Sequence, residues 1–189
     1  GGAGNFDSKT FAPAQKNNYN HFFEKVLSMA DSMALAGDSA MNIVAAVITK
    51  MEDSPMFNAG RGAVLTEEGF AELDASVMDG TTLKAGAVAG VRTIRNPILA
   101  AWKVMLNSQH VFLSGRGAEQ FAAQHGLEMV DSSYFVTDEV KRKFEKIKAD
   151  KSGTVGCVVR DIYGNICVGT STGGMMMKKW GRIGDSPVI

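Results

Sequence analysis

The stretch from Gly153 to Gly174, GTVGCVVRDIYGNICVGTSTGG, is the feature that most restricts how this chain can fold. Thr154 follows a charged segment, KRKFEKIKADKSG, and opens an apolar run, VGCVVRDI, whose Val and Ile content reads as a buried strand. Tyr163, Gly164 and Asn165 supply turn residues before a second run, ICVGTST. The two runs read as a β-hairpin with Gly164 and Asn165 near its tip. Residues 154 and 172 lie nearly equally far from that tip, so antiparallel pairing brings Thr154 and Thr172 together at the open end.

A threonine hydroxyl is a poor nucleophile at neutral pH. An N-terminal threonine can use its own α-amino group as the base, and that base exists here only if the chain breaks between Gly153 and Thr154. On spacing alone, the plainer reading is a threonine that starts a strand.

The chain has 189 residues, 45% of them hydrophobic, with 20 basic and 20 acidic side chains. That is enough for one domain with a real core. The charge balance argues against nucleic acid as a partner, and no apolar run approaches the roughly 20 residues that cross a membrane as a helix. Cys157 and Cys167 fall on the two strands of the hairpin and read as buried, reduced thiols. His21, His110 and His125 are scattered and suggest no side-chain metal site.

From about Gln15 to Ala36, Tyr19, Phe22, Phe23, Val26, Leu27, Ala30 and Met33 recur at helical spacing, with Gly37 as a stop. Asp38 or Ser39 caps a second helix whose inward face holds Met41, Val44, Ala45, Ile48 and Met51. EDSPMFNAGRG, residues 52–62, breaks the pattern and predicts a shaped loop. Ala63 to Glu67, Phe70 to Met78 and Leu83 to Val91 predict three strands. Asn96-Pro97 starts a helix, Ser114 to Gln124 makes another, and Thr137 caps a short charged one that runs into a solvated linker before Thr154. Strands on both sides of Thr154, with helices before and between them, predict layered α/β packing.

GTVGCVVRDIYGNICVGTSTGG with GRIGDSP (Gly181 to Pro187) resembles the start of the β-subunit of plant-type L-asparaginases, the isoaspartyl peptidase branch of the N-terminal nucleophile hydrolases. The opening GGAG, MEDSPMFNAGRGAVL and ELDASVMDG resemble the same family's α-subunit. The resemblance implies a four-layer αββα sandwich, cut at Gly153-Thr154 into an α-subunit portion (1–153) and the start of a β-subunit (154–189) that together make one domain. The family continues past the position of Ile189, so the sequence is expected to be incomplete.

The resemblance also implies an amidohydrolase acting on L-asparagine and β-aspartyl dipeptides. Thr154 would be the nucleophile, Thr172 its hydrogen-bonding partner and Asn58 a substrate-binding residue beside the nucleophile. Arg182 would grip the substrate α-carboxylate and Asp185 its α-ammonium, a pairing that suits a fork-shaped guanidinium. No organic cofactor is implied. A structural sodium, or another monovalent cation, would be held by the main-chain carbonyls of Met51, Glu52, Ser54, Phe57, Ala59 and Arg61. The assembly implied is a dimer of αβ units. Glycosylasparaginases, which usually carry Asn at the place of Gly173, and an uncleaved, inactive binding protein are the alternative readings.

Overall fold

The computed structural model describes residues 2–3, 12–146 and 153–188. The first strand, β1 (Gly2–Ala3), is followed by α1 (Pro13–Leu35) and α2 (Ala40–Glu52). The middle of the chain gives β2 (Leu73–Asp79), β3 (Ala85–Val91), α3 (Pro97–Asn107), β4 (Phe112–Ser114) and α4 (Gly115–Gln124). After α5 (Asp138–Lys146) come β5 (Thr154–Arg160) and β6 (Ile166–Thr172). Gly1, Gly4 and the linker residues 147–152 lie outside the described residues.

The strands make one six-stranded sheet in the order β1-β5-β6-β2-β3-β4, antiparallel except for the β3–β4 pair. Strands from before and after Thr154 therefore interleave, as the α/β expectation requires. The core lies between this sheet and the helices packed on it. Side chains alternate across the pleat. Leu73, Ala75 and Val77 of β2 and Cys167 and Ser171 of β6 are buried towards the helices. The other face carries Asp74 and Ser76 from β2, Thr170 and Thr172 from β6, and Thr154 from β5.

Local chemistry explains the helix boundaries. Ser39 caps α2, accepting from the Asn42 amide at 3.3 Å. Pro97 begins α3, where its fixed φ fits and its missing amide proton costs nothing. α1 follows the predicted span, but only Val26 in it is fully buried and Leu27 is 64% exposed. The helix reaches the core through the ring cluster of Tyr19, Phe22 and Phe23 around Phe57. Leu27 is thus not part of the inward face that its spacing suggests.

Two further expectations are corrected. Ala63 to Glu67 forms no strand and makes only an isolated bridge between Leu65 and Ala71. Its backbone is engaged elsewhere, because Met177 donates to the Leu65 carbonyl at 2.8 Å and Glu67 donates to that of Lys178 at 3.0 Å. β4, a short and half-exposed strand, was not anticipated; it pairs parallel to β3 at the sheet edge.

Candidate functional site

The hairpin is fixed at its tip by Asp161. Its Oδ1 accepts from the amides of Tyr163 (3.0 Å) and Asn165 (2.9 Å), and its Oδ2 from the Asn165 side chain (3.1 Å) and the Ala40 amide (3.2 Å). One carboxylate thus closes the turn and ties it to the first residue of α2. Gly164, with φ of 86°, takes the left-handed position that the turn needs. From this anchor the register runs to Val155 opposite Ser171, and the next step places the hydroxyls of Thr154 and Thr172 3.2 Å apart.

Their hydrogen bonds form a directed chain. Thr154 Oγ1 donates to Thr172 Oγ1, and Thr172 Oγ1 donates to the carbonyl oxygen of Gly153 at 2.9 Å. The Gly174 amide donates to Thr172 Oγ1 at 3.0 Å, so the Thr172 oxygen is saturated and its proton direction is set. Asn58 Nδ2 donates to the same Gly153 carbonyl at 2.7 Å and to that of Gly174 at 2.7 Å, while its Oδ1 accepts from the Val64 amide at 2.9 Å. The peptide bond before Thr154 therefore has its carbonyl held by two donors, one of which, Thr172, also accepts from the Thr154 hydroxyl. Such donors stabilise negative charge that develops on that oxygen.

Gly173 makes this closeness possible. A Cβ there would sit 2.6 Å from Asn58 Oδ1 and 2.6 Å from Ala63 Cβ, so any side chain at 173 would displace the asparagine.

Ser186 is a neighbour that sequence reading missed. Its Oγ lies 3.3 Å from Thr154 Oγ1, and its carbonyl accepts from Ser76 Oγ (2.7 Å) and Thr170 Oγ1 (2.6 Å). These bonds lay the 181–188 segment across the open face of the sheet. A cavity of about 430 Å³ lies beneath, lined by Thr154, Ser76, Thr170, Val168, Asp185 and Ser186 among others. Asp185 thus shares a cavity with Thr154, whereas Arg182 lies outside its lining. Both are exposed, and no ion pair joins them among the described residues. Only the run of polar residues at alternate β2 and β6 positions hinted at Ser76 and Thr170.

The loop after α2 folds back on itself. A Cβ at Gly60 would lie 2.3 Å from the Glu52 carbonyl oxygen, and one at Gly62 would lie 2.2 Å from that of Phe57. Only glycine permits that approach. The carbonyls of Met51 and Ala59 accept from the amides of Ser54 (3.2 Å) and Gly62 (3.3 Å). Main-chain carbonyl oxygens are hard, uncharged donors of the kind that suits a hard cation.

The side chain of Glu52 has a role that its sequence position did not reveal. It is wholly buried, and Oε1 accepts from Ser171 Oγ at 2.7 Å and from the Ile98 amide at 3.0 Å. Burial pushes its carboxyl up to about 8, against the pull of those hydrogen bonds. It links the loop to the start of α3 and to the residue beside Thr172.

Comparison with known proteins follows the same line. The family model described as Asparaginase matches residues 1–152 and 145–189. The chain is 42% identical over 208 residues to a Salmonella typhimurium protein named isoaspartyl peptidase, covering 100% of this chain and 66% of that protein. An Escherichia coli protein of the same name is 41% identical over 208 residues, with 100% of this chain and 64% of the relative covered. A rat protein named isoaspartyl peptidase/L-asparaginase is 42% identical over 199 residues, with 100% and 58% covered. The chain thus spans between 58% and 66% of the length of these curated relatives.

Proposed function

This chain belongs to the asparaginase family, and we propose on that premise that the whole protein is a threonine amidohydrolase. It cleaves its own backbone between Gly153 and Thr154, then hydrolyses L-asparagine to L-aspartate and ammonia and splits β-aspartyl dipeptides. The names of the relatives support the substrates. The observation that carries the cleavage is the Gly153 carbonyl held by Asn58 and Thr172, with the Thr154 hydroxyl hydrogen-bonded to Thr172.

In self-cleavage, Thr154 Oγ1 attacks the Gly153 carbonyl carbon. Negative charge then builds on the oxygen that Asn58 and Thr172 already hold. The Thr154 hydroxyl proton, passed on through its hydrogen bond to Thr172, goes to the departing nitrogen as the C–N bond breaks, so the acyl group passes to oxygen as an ester and the α-amine of Thr154 is released. Water hydrolyses the ester, giving a Gly153 carboxylate and a free Thr154 N-terminus.

In turnover, the same hydroxyl attacks the substrate amide while the new α-amine takes its proton and returns it to the leaving amine. Water then removes the β-aspartyl group. Arg182 holds the substrate α-carboxylate and Asp185 its α-ammonium. Thr172 keeps the nucleophile oriented in both stages. A monovalent cation at the carbonyls of Met51, Glu52, Ser54, Phe57, Ala59 and Arg61 would stiffen the loop that presents Asn58. Two αβ units would pair after cleavage.

The test uses the full-length protein. The wild type should migrate as two chains on a denaturing gel, one with Thr154 as its first residue, and should release ammonia from asparagine. Thr154→Ala should stay whole and inactive, and Thr154→Ser should keep part of both activities. A cleaved, active Thr154→Ala protein would end this reading.

A further inference from the structure

The hydroxyl of Ser186 has no task in the mechanism above. The Val188 amide donates to the Asp185 carbonyl at 2.9 Å, so Ser186 and Pro187 are the central residues of a tight turn. Pro187 is buried and restricts the backbone of the serine before it. The Ser186 carbonyl accepts from Ser76 Oγ of β2 at 2.7 Å and from Thr170 Oγ1 of β6 at 2.6 Å. Two neighbouring strands thus hold one backbone oxygen, and the side chain of the same residue meets Thr154 Oγ1 at 3.3 Å in the wall of the cavity. Thr154 is the only hydrogen-bond partner of Ser186 Oγ among the described residues.

The direction of that contact follows from counting protons, one to each hydroxyl. Thr172 spends its proton on the Gly153 carbonyl, and Thr154 spends its own on Thr172. The Ser186 hydroxyl is therefore the donor and Thr154 Oγ1 the acceptor. At 3.3 Å the bond is longer than the usual hydroxyl hydrogen bond of about 2.7 to 2.8 Å. Negative charge on the acceptor shortens such a bond to about 2.5 to 2.7 Å and roughly doubles its strength. A donor set at this distance does little for a neutral Oγ1 and most for an Oγ1 that is leaving with an electron pair.

We propose that Ser186 is a further catalytic residue, whose hydroxyl donates to Thr154 Oγ1 as that oxygen is expelled from its ester, once in self-cleavage and once in every turnover. This rests on the threonine amidohydrolase reading given under the proposed function. Water adds to the ester carbonyl while the α-amine of Thr154 takes its proton. The C–O bond to Thr154 then breaks, the electron pair stays on Oγ1, and the α-amine returns the proton to it, leaving the acyl group as a carboxylic acid. Ser186 stabilises the charge on Oγ1 until that proton arrives and keeps its own proton throughout. The bond is made to the leaving oxygen, so its loss slows hydrolysis of the ester and spares the binding of substrate.

The experiment compares wild type, Ser186→Ala and Ser186→Thr in the full-length protein by denaturing gel, melting temperature, asparagine kinetics and mass spectrometry of enzyme quenched in acid during turnover. Ser186→Ala keeps the carbonyl that Ser76 and Thr170 hold, so its melting temperature should change little. It should still cleave into two chains, more slowly. Its kcat and KM on asparagine should fall together by about tenfold or more, leaving kcat/KM within about threefold of wild type, because only the step after ester formation is slowed. The chain that begins at Thr154 should then carry a β-aspartyl group in Ser186→Ala and very little in wild type or in Ser186→Thr, which restores a hydroxyl. If Ser186→Ala does not fold, Ser186→Cys, whose thiol is a weak donor, takes its place. A raised KM with kcat unchanged, a lowered kcat with no ester in the quenched enzyme, wild-type kinetics, or an uncleaved variant with an unchanged melting temperature would overturn the assignment. A wild type that neither cleaves nor hydrolyses asparagine or a β-aspartyl dipeptide would instead remove the functional reading, and this inference with it.

Discussion

Asn58 and Gly153, 95 residues apart in sequence, meet through a 2.7 Å hydrogen bond from the asparagine Nδ2 to the glycine carbonyl oxygen. The same Nδ2 holds the Gly174 carbonyl, and Oδ1 accepts from Val64, so the amide has one permitted orientation. A donor fixed in this way needs no reorganisation when charge develops on the oxygen. Asn58→Ala should slow self-cleavage by about 10²- to 10³-fold, the usual effect of losing one such donor. The half-time for appearance of two chains on a denaturing gel measures it. Cleavage at the wild-type rate would mean that this carbonyl is activated by Thr172 alone.

Gly173→Ala tests the same contact from the other side. The added methyl would meet Asn58 Oδ1 and Ala63 Cβ, each at 2.6 Å, and neither can yield without moving the loop. Overpacking of this kind costs about 1 to 3 kcal/mol. A lower melting temperature and slower cleavage should therefore appear together. Slower cleavage with unchanged stability would point to a loss of alignment without strain.

The threonine pair was legible because a hairpin is a local structure. Val and Ile runs on either side of Tyr163-Gly164-Asn165 set the strands, and equal distances from the tip set the register. Asp74 and Lys178 were not legible. Asp74 falls at an alternate strand position that reads as solvent-facing, and Lys178 stands beside a second lysine in a turn-rich segment. Both are buried by one long-range event, the folding of 175–188 over the open sheet face, which leaves no local pattern. The missing strand at 63–67 has the same cause, since its backbone pairs with Met177 and Lys178.

Asp161 gives a prediction about pH. Burial alone would push its carboxyl up, but hydrogen bonds from Asn165, Ala40 and Tyr163 outweigh this and hold it below the usual carboxylate range. A carboxylate depressed in the folded state contributes stability that is present above its unfolded pKa of about 4 and is lost as pH falls through the folded value. Asp161→Asn should thus melt lower than wild type at neutral pH, and the gap should narrow as pH drops below about 4. Melting curves at several pH values decide it. A gap independent of pH would show that the carboxylate charge has no part in closing the hairpin.

Under the proposed function, Arg182 serves substrate binding and not self-cleavage. It is exposed, and its guanidinium folds towards Gly184, where Nη1 would be 3.3 Å from a Cβ. Among the described residues the Gly153 carbonyl is held by Asn58 and Thr172, not by Arg182, and cleavage of the backbone presents no α-carboxylate for it to hold. On the proposed function its charge would matter only once a free aspartyl head arrives, because two parallel N–H donors match the two oxygens of that carboxylate. Arg182→Ala should therefore cleave into two chains at the wild-type rate yet lose about 2 to 4 kcal/mol in kcat/KM on asparagine, the range for removing one partner of a hydrogen-bonded charge pair. Arg182→Lys should recover little, since a point charge cannot reproduce a two-pronged grip. Gel and kinetics on each full-length variant measure the two stages separately. Near-normal kcat/KM in Arg182→Ala would move recognition of the carboxylate to another residue, and failure to cleave with an unchanged melting temperature would place this arginine in maturation.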